Sequence, residues 1–132
     1  MLEINDKYKH YLYFVFRLLV GWMFFEHGAQ KLFGWFGGKA VDSVASLFGV
    51  AGVVEVLAGL ALLLGLFVRL AALLGAVQML VAYFMVHFPD SWDPLVNHGE
   101  PALLYFAAFL VLYAWSAGKW SLERQLFGKE FF

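Results

Sequence analysis

The chain has 132 residues, 63% of them hydrophobic and 14% charged, with mean hydropathy +0.75, whereas charged residues make up about a quarter of a soluble domain. A net charge of −1, with nine Lys and Arg that form no cluster, excludes a nucleic-acid interface. The absence of cysteine excludes disulfides, thiolate metal centres, iron–sulfur clusters and thiol exchange.

What remains is an all-α membrane protein, one domain over residues 1–132, with the lipid bilayer as its first partner. Four apolar runs are visible, at about 11–29, 49–67, 70–88 and 101–117. At ~1.5 Å per residue each crosses or nearly crosses ~30 Å of hydrocarbon. Lipid offers backbone groups no partner, so the runs are expected as helices in an antiparallel four-transmembrane-helix bundle. The first run is too long for the apolar part of a signal peptide and no small-residue cleavage site follows it, so it is expected to stay in the mature protein.

After the first run comes "GWFGGKAVDSVASLF", where Val41, Val44, Ala45 and Phe48 recur at helical spacing behind a glycine break. This predicts a short interfacial helix between the first two spans. Only Val68 and Arg69 separate the second and third runs, which therefore form a tight hairpin. "PDSWDPLVNHG", with two of the three prolines, predicts an irregular loop before the fourth run, with Trp92 at headgroup level. Lys7, Lys9, Arg69, Lys119, Arg124 and Lys129 fall on the side of the termini and the hairpin turn. A multi-pass cell-membrane protein with both termini cytoplasmic is expected.

In this topology the polar residues gather toward the outer end. Glu26, His27, Gln30 and Lys31 close the first run, Glu55 opens the second, His87 ends the third, and Asn97, His98 and Glu100 precede the fourth. An ionised carboxylate in lipid costs ~2.5–3.5 kcal/mol at the centre and less near the interface, so Glu55 is expected to face inward. Gly52, Glu55 and Gly59 share one stripe, which permits close helix approach beside the carboxylate. His27 and Lys31 share a face across Gly28, and Arg17, Gly21 and Gly28 continue it, making Arg17 a second buried charge. Glu26 lies about half a turn round and faces either headgroups or the interfacial helix.

Gln78 shares a stripe with Ala71, Gly75 and Ala82, and is placed with Arg17 in the inner half. His87 is nine residues on, about 180° round an ideal helix, so the two reach one cavity only if the helix is distorted. Asn97 and Glu100 have N-cap and N3 spacing, which reads as a capping box. "GWFGGKA" is too short for a phosphate-binding loop and has Ala40 where Ser or Thr would bind magnesium. A metal on His27, Glu55 and His87 or His98 is chemically permitted, but no metal-binding spacing supports it and no metal ligand is assigned. Only Arg17 and Gln78 provide polar groups in the inner half, too few for a proton-coupled carrier.

"RLLVGWMFFEHGAQKLFGWFGG", "VVEVLAGLALLLGLFVRLAALLGAVQMLVA" and "VHFP" together closely resemble the DoxX family of small four-helix membrane proteins, from about Arg17 to Trp120. The resemblance implies a membrane subunit that handles quinone, as in thiosulfate:quinone oxidoreductase, and that works with a redox partner subunit. The family's polar motif falls on His27, Gln30 and Lys31, and its acidic position on Glu55. On that basis His27 and Glu55 are the catalytic candidates, with Lys31, Gln30, Arg17, Trp35, Gln78 and His87 as ligand-binding candidates. The expected slot is lined by Trp22, Phe25, Phe33, Trp35 and Phe36; the cofactor is quinone, held without a covalent link. The competing reading is a non-enzymatic assembly or lipid-binding protein whose polar cluster is a structural ion-pair network. Glycine stripes on two helices leave room for a homodimer.

Overall fold

The computed structural model describes residues 4–132, and among these there are helices and no strands. Helix α1 runs Asp6–Phe33, α2 Leu47–Leu64, α3 Val68–Ala82, α4 Glu100–Trp115 and α5 Leu122–Phe127. α3 continues into a π-helical turn, Tyr83–His87. The Asn5 side chain accepts from the Lys7 N–H at the start of α1, and Ser46 Oγ accepts from the Gly49 N–H at the start of α2. These contacts satisfy donors that a helix start leaves without partners.

Among the described residues two helices are long and apolar enough to cross a membrane, Leu47–Leu64 and Val68–His87. α4 is apolar and shorter, and α1 is longer and carries more charge. All four expose large apolar side chains on their outer faces, among them Leu19 and Trp22 of α1, Leu57 of α2, Leu73 and Val77 of α3, and Leu104 and Leu110 of α4. An apolar exterior of this extent matches lipid as the surrounding solvent. Inside, the Phe24 and Phe109 rings meet edge to face at 4.8 Å, and Leu62 and Leu112 are wholly buried.

α1 packs chiefly on α2, and α3 chiefly on α4. The first seam is made by glycines. A Cβ on Gly28 would lie 2.7 Å from the Gly52 carbonyl oxygen and 2.8 Å from Glu55 Cβ, and one on Gly59 would lie 2.6 Å from the Phe25 amide nitrogen. Nearer the other end Gly21 faces Leu62, so the two helices run in opposite directions along the seam. In the second seam Gly75 makes room for the tip of the Phe109 ring, whose Cζ would lie 2.5 Å from an added Cβ. The glycine stripes are thus consumed within the chain and carry no argument for a homodimer.

The expected interfacial helix is absent. Gly34 ends α1 in the left-handed region, and Phe36 and Gly37 follow at φ 54° and 73°. The Val41 N–H then returns to the Lys31 carbonyl, tying the segment onto α1 instead of releasing it as a helix. Phe48 belongs to α2. The hairpin turn also sits slightly earlier than Val68 and Arg69, at Gly65 and Phe67, both with positive φ.

The capping box does not form either. Asn97 spends its side chain on the loop, accepting from the Gly99 N–H and donating to the Ser91 carbonyl and the Tyr83 hydroxyl. Glu100 is the first residue of α4 and not its third.

Candidate functional site

Glu55 is 2% exposed, and its carboxylate is the centre of the site. Lys31 Nζ donates to both oxygens, at 2.5 and 2.7 Å, and Gln78 Nε2 donates to Oε1 at 2.8 Å. Burying a carboxylate is costly unless its lone pairs meet good donors, and here one cation and one amide supply them. The sequence placed Gln78 in the inner half, yet it lies at the level of Glu55. α3 starts at Val68, so ten residues of rise, ~15 Å, carry Gln78 outward from the hairpin turn.

Above this cluster lies a cavity of about 310 Å³. α1 contributes Phe24, His27 and Lys31 to its wall, α2 Phe48 and Glu55, and α4 Ala102 and Tyr105. α3 contributes Gln78, Met79 and Ala82, and its π-helical extension contributes Met85 and His87. That extension resolves the conflict over Gln78 and His87: widening the helix over Tyr83–His87 turns His87 back to the side of Gln78, and both line one cavity. π-turns of this kind recur at functional sites. His87 Nδ1 lies 3.1 Å from the Asn97 carbonyl oxygen. A carbonyl only accepts, so Nδ1 carries the hydrogen, and in the neutral ring Nε2 is then an acceptor.

His27 also lines the cavity, its ring edge-on to Tyr105 at 5.8 Å. The other candidates lie elsewhere. Arg17 is at the opposite end, donating to the carbonyls of Ala117 and of Trp120, the latter at 2.7 Å. Both of these bonds come from Nη1, while the buried Nε has no partner among the described residues. Trp35 is exposed and packs on Phe33 and Phe36 outside the cavity. Gln30 turns away toward the Phe36 carbonyl, at 3.4 Å.

The expected aromatic slot is likewise displaced. Trp22 and Phe33 lie on the outer face of α1, and the cavity is walled instead by Phe24, Phe48 and Tyr105. Tyr105 was legible as the one polar-tipped side chain on the Ala102, Tyr105, Phe109 stripe, at i, i+3 and i+7. Among the described residues no three His, Cys, Asp or Glu side chains converge as a metal site.

The family model for DoxX matches residues 12–88, which run from the second turn of α1 to the π-turn and include every polar member of the cluster. The chain belongs to the DoxX family. The matched span of this DoxX protein is shorter than the Arg17 to Trp120 resemblance of its motifs, and α4 lies beyond it. An uncharacterized protein of Haemophilus influenzae is 36% identical over 131 residues, covering 94% of this chain and 97% of that one. This similarity therefore includes α4. No solved structure matches the chain.

Proposed function

We propose that this DoxX protein is a multi-pass membrane subunit that binds a quinone, or a lipophile of similar chemistry, and serves a partner redox enzyme. The observation that carries the reading is the cavity's polarity. Its floor is the Lys31, Glu55 and Gln78 cluster with His27 beside it, and its walls are apolar. Along its rim Leu47, Phe48 and Val50 of α2 and Val81, Met85 and Val86 of the third helix are all exposed, so the opening faces lipid between these two elements. A ligand with a polar head and an apolar tail fits this shape. At about 310 Å³ the cavity is near the lower end of the ~300–1,000 Å³ range for small-ligand sites, so it takes the head and leaves the tail in the bilayer.

The donor set suits quinone carbonyls: the Lys31 ammonium and Gln78 amide are donors, and His87 Nε2 is an acceptor for a hydroxyl. A bound quinone supplies two-electron redox chemistry. Glu55 and His27 hold the protons that accompany it. With no cysteine in this chain, electrons are delivered by a partner subunit, as in a thiosulfate:quinone oxidoreductase.

In this reading α1 to α4 cross the membrane as an antiparallel four-span bundle with both termini cytoplasmic. Two features support it. The N-terminal half of α1, the hairpin turn and the C-terminal segment meet at one end through Arg17, Glu123 and the Arg69 N–H to Phe132 carbonyl bond. That end also carries most of the Lys and Arg.

A second reading is favoured by the closure of the Lys31, Glu55 and Gln78 contacts on one another: a structural network in a lipid-binding or assembly protein. Organic extraction of the protein purified in mild detergent, followed by mass spectrometry, separates the two. Quinone at near one per chain is expected, and phospholipid alone would replace the first reading with the second.

A further inference from the structure

We infer that the C-terminal segment, residues 117–132, is an in-plane arm that lies on the membrane surface at the end of the bundle opposite the cavity and binds anionic phospholipid headgroups. This rests on the reading of the chain as a multi-pass membrane protein and is independent of any ligand in the cavity.

The segment is fastened to the bundle by its polar groups. Ser121 Oγ donates to the Gly65 carbonyl at 3.2 Å, and the Glu123 N–H donates to the same oxygen. The Glu123 carboxylate, 1% exposed, accepts from the Phe67 N–H at 3.1 Å and from the Phe131 N–H at 2.7 Å. The Arg69 N–H donates to the Phe132 carbonyl. Glu123 thereby ties the hairpin turn, α5 and the last residues together, so the direction that the side chains of the segment take is fixed by the fold.

That direction is inverted for a segment in water. Ser121 and Glu123 are buried, while Leu126, Phe127, Phe131 and Phe132 are all exposed. The Phe127 and Phe131 rings pack on each other at 5.6 Å, which makes an apolar ridge on the outside of the segment. A segment surrounded by water keeps its charged and hydroxyl groups outermost, whereas an element lying in the membrane interface sinks such a ridge below the headgroups. The depth is consistent with this. Tyr11, Tyr113, Trp115 and Trp120 are exposed at the same end, with Trp120 packed on Tyr11 at 5.2 Å and on Phe14 at 4.9 Å, and Trp and Tyr gather at the membrane–water boundary.

Charge selects the headgroup. Lys7, Lys9, Arg69, Lys119, Arg124 and Lys129 are exposed at this end. The described carboxylates beside them are spent: Glu123 on backbone, Glu130 on Arg124 at 2.9 Å and Asp6 on Lys9 at 3.2 Å. Lys119 and Lys129 have no carboxylate partner among the described residues. The Lys129 ammonium lies 4.8 Å from the centre of the Phe131 ring, so a cation and a ridge residue stand side by side. A lysine stem lets the ammonium reach a phosphate while the neighbouring ring dips into the acyl boundary, and cations next to a span draw anionic lipid.

The chain has no cysteine, so an introduced one reports a single site. Leu126→Cys, labelled with the fluorophore NBD, is placed in nanodiscs of phosphatidylcholine alone or with about a third phosphatidylglycerol. The rate of NBD reduction by dithionite, which stays in water, is then measured. Asp6→Cys, at a side chain 86% exposed, gives the water-facing rate, and Val77→Cys on the outer face of α3 gives the rate inside the bilayer. The label at position 126 is expected to react about tenfold more slowly than that at position 6, and anionic lipid to slow it about threefold more. The second effect should vanish in the Lys119→Gln, Lys129→Gln double variant and in about 1 M salt, where charges are screened beyond ~3 Å. Reaction at 126 as fast as at 6, with 77 protected, overturns the arm and leaves the spans standing. Fast reaction at 77 removes the spans, and the arm with them. Equal protection at 126 in both lipids overturns the preference for anionic headgroups.

Discussion

Lys31 donates to both oxygens of Glu55, yet the two ends of this pair differ in burial, the lysine side chain being 28% exposed and the glutamate 2%. That asymmetry sets which half is the more costly to remove. Lys31→Met strands a carboxylate that cannot reach water, and stranded buried charges cost ~3–5 kcal/mol. The retained Gln78 bond places this case near ~3 kcal/mol. Glu55→Gln costs less, about 1–2 kcal/mol, because the long lysine stem lets its ammonium swing toward the interface. Thermal unfolding in detergent should rank Lys31→Met below Glu55→Gln, with the double variant less destabilised than the sum. The reverse ranking would show that Glu55 and not Lys31 is the group left with an alternative.

Gly28 gives a second, independent measure of the same region. A methyl group there meets backbone of α2 at 2.6 and 2.7 Å, atoms that cannot rotate away. Gly28→Ala is expected to lower stability by ~1–3 kcal/mol, the usual range for overpacking, and to weaken the Lys31 to Glu55 contact by spreading α1 from α2. The check is Tm with and without the Glu55→Gln change. If the two losses add fully, the seam does not hold the ion pair in place.

How much of this was legible in the sequence differs from residue to residue. The long helices followed from the apolar runs, and the inward aim of Glu55 followed from its two glycine neighbours, because both depend on local periodicity alone. The relation of Gln78 to His87 did not follow, since it depends on a π-turn that no pattern of side chains announces. Asn97 misled for a related reason: its spacing to Glu100 suits a cap, but the loop it stabilises had stronger use for an amide with donors and an acceptor. The stretch after α1 reads as amphipathic, and there the positive φ values of Gly34, Phe36 and Gly37 override spacing. Glu123, buried and accepting from the Phe67 and Phe131 N–H groups, left no mark in the apolar pattern because its partners are backbone.

The π-turn offers a third prediction. Deleting Phe84, an exposed member of the turn that does not line the cavity, removes the extra residue and allows ordinary α geometry. His87 then stands eight residues from Gln78, about 80° round an ideal helix, which is the side the π-turn already gives it. Its bond to the Asn97 carbonyl should therefore survive. Retention of quinone through purification should stay within about twofold of the parent protein, with helix content by circular dichroism unchanged. A tenfold loss would mean that the widened turn itself, and not the side on which His87 stands, holds the ligand.

Arg17 supplies the last prediction, because its burial resembles that of a site residue while its contacts do not. Its guanidinium is held by the carbonyls of Ala117 and Trp120, beside the Tyr13 hydroxyl, which donates to the Ser116 carbonyl at 2.5 Å. These carbonyls lie in the turn that follows α4, outside its hydrogen-bond ladder, so buried acceptors there need donors from elsewhere. Arg17 therefore fastens the C-terminal segment to α1. Arg17→Met leaves those buried acceptors unpaired, at ~1–3 kcal/mol for each group so exposed to loss. The segment from Ala117 onward should then be cut by trypsin at Lys119 and Arg124 well before the rest of the chain, which the intact protein resists. Because the Lys31, Glu55 and Gln78 cluster lies at the other end of the bundle, ligand retention in the surviving folded fraction should match the parent protein. A fall in retention without early cleavage would return Arg17 to the binding site.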